Sequence, residues 1–383
     1  MSEDELELNF DNLDINDSLL RGIYAYGFEN PSKIQAQSIP IINEGRDLIA
    51  QSQSGTGKTG SFLIGSLNRI DDTNNDTQVI VICPTHELAS QCYEVCQELI
   101  KYTNIRSSLV IGKTSIRDCI ESLRKMPHII IGTPGRLLDM LNKKEIFTSG
   151  VKTFVMDEAD DILSLGFIDT ITFIIKYLSQ DCQICLFSAT LPEEIKTLTH
   201  KFLNNPEQIL VDRESLTLEG IKQFKIMLKN NNWKLDVLID LYETLNITQS
   251  IIYVNSKKTL KYLNDKLNEN GYPISYICGD MDTKQRRQNM SDFKSGRTRI
   301  MLSTDLLSRG IDIQQLSLVI NFDLPTNMET YIHRIGRSGR YGRKGVSINF
   351  VVEDEQSQLT ELETYYQIKI PDMPENIKDY LSV

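Results

Sequence analysis

Between residues 54 and 59 the chain reads Ser54-Gly55-Thr56-Gly57-Lys58-Thr59, which places two glycines, an ammonium and three hydroxyls in one short run. Glycines let a backbone wrap a phosphate with its N–H groups at a helix N-terminus, Lys58 has the reach for β- and γ-phosphates, and the Thr59 hydroxyl suits Mg²⁺. The general pattern wants glycine at 52, where Ser52, another small residue, keeps the turn. Further on, the apolar run TFVM ends in Asp157-Glu158-Ala159-Asp160. An Asp at the tip of a strand is a Mg²⁺ partner, and the Glu after it is placed to orient or deprotonate an attacking water. In the second half, His333-Arg334-Ile335-Gly336-Arg337-Ser338-Gly339-Arg340 carries Arg337 and Arg340 on one face of a turn or helix. Planar guanidinium forks suit a γ-phosphate whose charge spreads in the transition state, an effect worth about 10³ to 10⁵ in rate. Each run alone has a plainer reading as a glycine turn, a solvated acidic cap or a basic surface turn. Together they indicate nucleotide hydrolysis.

Such residues need strand tips to hold them. Continuously apolar, β-branched runs recur in the first half (VIVIC, SLVIG, HIIIG, TFVMD, ICLFSAT) and in the second (SIIYVN, ISYICG, RIMLSTD, LSLVINFDLP, GVSINFVV). Such runs predict strands covered on both faces. The segments between them, such as HELASQCYEVCQELIKY, space apolar residues at three and four as amphipathic helices do. The repeating βα unit predicts two doubly wound α/β domains with parallel sheets, whose ligand sites lie at the carboxyl ends of the strands. The stretch DRESLTLEGIKQ lacks either periodicity and is expected to be a linker. The expected division is residues 1–21 as an N-terminal segment, 22–212 as the nucleotide-binding domain, 213–222 as linker and 223–383 as the second domain. With the loop and the arginines on different domains, hydrolysis should need closure.

At 383 residues and 40% hydrophobic content the chain fits two globular domains. The acidic start is unlike a basic signal or transit peptide, and no apolar run is long enough for a membrane span, so a cytoplasmic protein is expected. Seven cysteines in apolar segments read as reduced thiols, and the Cys182/Cys185 pair lacks the further ligands zinc needs. The net charge of −11 speaks against a broad basic footprint, but residues 1–212 hold 18 Lys and Arg against 30 Asp and Glu, whereas 213–383 hold 23 against 22. A nucleic-acid site would have to be a local groove with weak long-range steering.

With these runs in this order, the chain resembles the DEAD-box RNA helicase family. GFENPSKIQ, SQSGTGKT, PTHELA, TPGR, DEAD, SAT, RGID and HRIGRSGR follow the family order along nearly the whole length. The resemblance implies two tandem RecA-like domains and ATP with Mg²⁺ as cofactors. It implies that Gln35 reads adenine, Phe10 stacks on it, and Gly310 and Asp312 lie beside the nucleotide. On the RNA side it points to Pro84, Thr85, Gly112, Thr133, Arg136, Arg286 and Thr304, with Ser188, Thr190, Asp160 and His333 coupling the two sites. Small hydroxyls, N–H groups and a few arginines are an inventory for backbone contact, hence sequence-independent binding of single-stranded RNA or mRNA. The chain departs from the family pattern at His86 in place of Arg, Lys113 in place of Gly, and Thr283 in place of Gln, all on the RNA side.

The segments TLEGIKQF, WKLDVLIDLYETLNITQS and PDMPENIKDYL resemble the family's translation-initiation branch, which implies a scaffold partner of the initiation-factor 4G type. The exon-junction branch shares many of these phrases. The expectation is therefore local RNA unwinding in translation initiation by a chain monomeric on its own. The alternatives are an ATP-locked RNA clamp, which would be nuclear if of the exon-junction type, and a phosphate-loop kinase, which would leave the second domain's arginines idle.

Overall fold

In the computed structural model, residues 9–52, 55–191, 193–210, 221–245, 247–305, 316–338 and 345–381 are described. They divide into two compact units, Met1–Val211 and Asp212–Val383.

In the first unit, after α1 (Asp17–Tyr26) and α2 (Lys33–Asn43), strands and helices alternate: β1 (Leu48–Gln51), α3 (Lys58–Asn68), β2 (Val79–Ile82), α4 (His86–Leu99), β3 (Ser107–Val110), α5 (Ile116–Leu123), β4 (Ile129–Gly132) and α6 (Pro134–Asn142). There follow β5 (Thr153–Met156), α7 (Ala159–Ser164), α8 (Ile168–Ile175), β6 (Gln183–Ser188), α9 (Glu193–Phe202) and β7 (Glu207–Ile209). The strands lie in the order β3-β4-β2-β5-β6-β1-β7, every pairing parallel.

The second unit runs β8 (Ile221–Leu228), α10 (Trp233–Thr244), β9 (Ser250–Tyr253), α11 (Lys257–Glu269), β10 (Ile274–Ile277), α12 (Thr283–Lys294), β11 (Ile300–Ser303), β12 (Leu318–Asn321), α13 (Met328–Ile335), β13 (Gly345–Val352), α14 (Gln356–Tyr366) and α15 (Lys378–Leu381). Its order is β10-β11-β9-β12-β13-β8, again all parallel.

Period-two geometry explains why the central strands read as unbroken apolar runs. In β2, Val79 and Val81 enter one core and Ile80 and Ile82 the other. In the second unit Ile252 of β9 and Ile320 of β12 face one cluster, while Ile251, Tyr253 and Val319 face another. The seven cysteines are all buried free thiols, and burial pushes those of Cys96 and Cys185 upward in pKa, so they behave as small apolar residues. Among the described residues no helix is long and apolar enough to cross a membrane.

The expected boundaries need adjustment. Residue 21 falls inside α1, whose Leu19 and Ile23 join the first unit's core, so the described part of the N-terminal segment, 9–21, is built into that unit. Ile221 and Lys222, expected in the linker, already belong to β8, and 213–220 lie outside the described residues.

Candidate nucleotide and RNA sites

The chemistry of the first unit gathers where β1, β5 and β6 end. Gly57, at φ 103°, caps α3 in the left-handed region that glycine adopts readily, and this turns Lys58 inward. Lys58 is buried and its Nζ lies 3.0 Å from Glu158 Oε2, so the loop after β1 is tied to the acidic turn after β5. Thr59 occupies the first turn of α3 beside it. Ser54, expected in the same loop, lies outside the described residues. The carboxamide of Gln35 accepts from the Ser32 N–H at 2.8 Å and donates to the Gly57 carbonyl at 3.3 Å, so the expected adenine reader also braces the phosphate loop.

Asp157 is anchored at the tip of β5 by its N–H to Ile82 O, 2.9 Å, and its carboxylate accepts from Glu158 N–H at 3.0 Å. Burial, and then the charge of Glu158, raise the Asp157 carboxyl to about 7, against the opposing pull of Lys58. Two adjacent buried carboxyls with one ammonium leave negative charge over, and Thr59 adds a hydroxyl oxygen. That hard oxygen donor set fits Mg²⁺. Glu158 itself is in left-handed backbone, φ 47° and ψ 57°, an uncommon conformation for a side chain with a Cβ.

Behind this turn, Asp160 accepts from the Thr190 hydroxyl at 2.7 Å and Thr190 N–H at 3.1 Å, while the Ser188 hydroxyl accepts from Asp160 N–H at 3.2 Å and donates to Thr190 O at 2.7 Å. Asp160, Ser188 and Thr190, expected from sequence to couple two sites, thus form one closed network.

Pro84, Gly112, Thr133 and Arg136, singled out from sequence, line one cleft of about 380 Å³ together with His86, Gly135, Asp139 and Phe167. Thr85 caps α4, accepting from Leu88 N–H at 3.3 Å, and Thr133 caps α6 with Pro134 behind it. Two helix N-termini beside a cleft favour an anionic backbone. Arg136 holds the cleft's rim by donating to the carbonyl and hydroxyl of Thr114, at 3.0 and 3.3 Å. The sequence reading passed over Phe167 and Asp139, which belong to no polar motif of their own.

Phe10, expected to stack on adenine, is buried, with its ring centroid 6.3 Å from Phe28 and 6.4 Å from Tyr24. Arg286 is buried too, its guanidinium donating to Cys278 O and Gly279 O at 3.2 and 3.4 Å. Carbonyls left over at the end of β10 require donors, so Arg286 secures that turn.

In the second unit, α13 carries His333 and Arg334 in its last turn, and Arg337 follows it. All three are buried, and Arg337 donates to His333 O at 3.1 Å. Thr304 directly follows β11 and is half-buried, its carbonyl accepting from the Ser303 hydroxyl at 2.6 Å. Gly310, Asp312 and Arg340 lie outside the described residues. Arg334, to which no role was assigned from sequence, makes four hydrogen bonds, to Asp305, Asn321, Asp323 and Asn255.

The family profile described as DEAD/DEAH box helicase matches residues 32–198, and that described as helicase conserved C-terminal domain matches 233–342. Eukaryotic initiation factor 4A of Caenorhabditis elegans is 48% identical over 378 residues, which cover 99% of this chain and 94% of the relative. The chain belongs to the DEAD/DEAH box helicase family. With membership come ATP as cofactor and ATP-dependent RNA helicase activity. An ATP-dependent RNA helicase eIF4A of Pyricularia oryzae is also 48% identical, covering 99% and 96% of the two chains. Among solved helicases of this family, Saccharomyces cerevisiae Dbp5 bound to RNA and ADP BeF3 matches at TM-score 0.90 and 37% identity, covering 97% of each chain. Mss116p bound to ssRNA and AMP-PNP matches at TM-score 0.86 and 26% identity, covering 98% of this chain and 82% of that one.

Proposed function

We propose that this helicase couples RNA-stimulated ATP hydrolysis to local unwinding of mRNA in translation initiation, in the cytoplasm and on a scaffold partner of the initiation-factor 4G type. The observation that carries the chemistry is the buried Lys58–Glu158 pair, which joins the phosphate loop to the acidic turn. Lys58 and the loop amides bind the phosphates, Gln35 selects adenine, and Glu158 orients the attacking water and takes its proton. Thr59 and Asp157 would hold Mg²⁺, which when bound neutralises phosphate charge. Arg337 and Arg340 stabilise the charge that develops on the γ-phosphate, and Gly310 and Asp312 contact the nucleotide. Because Lys58 and Arg337 belong to different units, turnover requires both. Pro84, Thr85, Gly112, Thr133, Arg136 and Thr304 take the RNA backbone, and Ser188, Thr190, Asp160 and His333 relay between the sites. The match to C. elegans initiation factor 4A over nearly the whole chain supports the role in initiation.

A slow-turnover RNA clamp is the second reading, favoured by solved relatives that hold RNA and a nucleotide analogue together. Glu158→Gln separates chemistry from binding. The variant should lose about 10² to 10⁴ in kcat while still retaining RNA in the presence of ATP. Parent-like turnover would remove the role given to Glu158, and a parent enzyme that holds RNA with ATP but shows no RNA-stimulated turnover would favour the clamp.

A further inference from the structure

The side chain of Arg334 is completely buried, yet it sits where three strands of the second sheet end. Its Nε donates to Asp305 Oδ1 at 2.6 Å, just past β11. One terminal nitrogen, Nη1, reaches Asp323 O at 2.7 Å and Asn321 Oδ1 at 3.3 Å, at the end of β12. The other, Nη2, reaches Asn255 Oδ1 at 2.7 Å, just past β9, and the guanidinium carbon lies 5.3 Å from the centre of the Tyr253 ring.

The contacts continue inward. Asn321 Nδ2 donates to Asn349 Oδ1 at 2.8 Å, Asn349 Nδ2 donates to Phe224 O at 3.0 Å and lies 3.3 Å from the Tyr331 hydroxyl, and that hydroxyl donates to Gln223 Oε1 at 2.7 Å. A polar chain therefore crosses β12, β13 and β8 through an apolar sheet, anchored on α13 at both Arg334 and Tyr331. Polar groups at such depth are retained only where they are satisfied and fix one arrangement.

We propose that Arg334 is a positioning residue that locks the RNA-side end of β11, Thr304 and Asp305, to the helix leading into Arg337. This rests on the reading of Thr304 as an RNA contact and Arg337 as a phosphate contact. Displacement at Thr304 is carried through Asp305 to the guanidinium, and from there along α13. A single ammonium cannot hold three strand ends at once, because the fork's directions are fixed and a lysine's are not.

The full chain would be tested as Arg334→Lys, Asp305→Asn, the double variant, and Arg337→Ala. Asp305→Asn is the gentler change, since its side chain is 42% exposed. With thermal unfolding of this variant close to the parent's, the RNA concentration for half-maximal ATPase should rise and the RNA-stimulated kcat fall, each about fivefold or more. The KM for ATP should stay within twofold. Because Arg334→Lys and Asp305→Asn break the same link, the double variant should be no worse than the worse single variant. Losses that multiply, or RNA-stimulated kinetics of Asp305→Asn that match the parent while Arg337→Ala is inactive, would overturn the proposal. Parent-like turnover in Arg337→Ala would instead overturn the assignment of Arg337 on which it depends.

Discussion

Lys58 answers to two anions. In the protein as folded it serves Glu158, and under the function proposed above it would serve phosphate during turnover, so one ammonium would both bind ATP and shield the group that activates water. The sequence revealed both residues through their motifs, yet gave no hint that they touch, because the partnership spans a hundred positions and depends on β1 and β5 lying in one sheet. His128 was silent in the sequence altogether. Its Nδ1 accepts the Arg106 backbone N–H at 3.0 Å, a bond only the unprotonated nitrogen can accept, and burial followed by the Arg106 charge lowers its pKa below the ordinary value. The folded chain then resists a proton that the unfolded chain takes up. Stability should hold above about pH 6.5 and decline as pH falls through that value. The urea midpoint measured from pH 7.5 to 5.5 should show this slope, reduced in His128→Asn. An unchanged slope in the variant would assign the loss to other groups.

At the scale of elements, the central strands were legible because burial on both faces writes them as continuous apolar runs. The strands that escaped were β7 and β8, at the edges of their sheets, where one side meets solvent and polar residues interrupt the pattern: Glu207, Gln208 and Lys222, Gln223, Lys225. Four residues of the cleft at Pro84 and Thr133 were singled out as motifs, and Phe167 was missed because an aromatic ring at the start of a helix carries no signal of what it lines. Arg334 of α13 and Arg286 of α12 were readable as cations, but sequence cannot distinguish an arginine turned inward, as both are, from one turned out. Packing between helices was equally hidden. A Cβ on Gly22 of α1 would stand 2.0 Å from the Leu99 carbonyl oxygen at the end of α4, so only glycine permits that crossing. Gly22→Ala should destabilise the first unit by about 1–3 kcal/mol, seen as a lower denaturant midpoint, although alanine favours helix. A midpoint equal to the parent's would mean that α1 can lift away at no cost.

For the whole molecule, the net charge of −11 and a cleft built from helix ends, hydroxyls and few cations imply that counterion release contributes little to RNA affinity. With two or three phosphates neutralised, the logarithm of affinity for single-stranded RNA should fall with the logarithm of salt at a slope of about −1.4 to −2.1. A slope steeper than about −4 would reveal a basic surface that the cleft does not account for. The left-handed turn at Glu158 has its own consequence for anyone who evolves this protein in the laboratory. Glycine or asparagine would rest more easily at φ 47°, roughly 1 kcal/mol or more easier than glutamate. A screen rewarding heat resistance and nothing else should nevertheless pass over that codon, because a shorter side chain would strand the buried Lys58 ammonium at a cost of about 3–5 kcal/mol, more than the bend would give back.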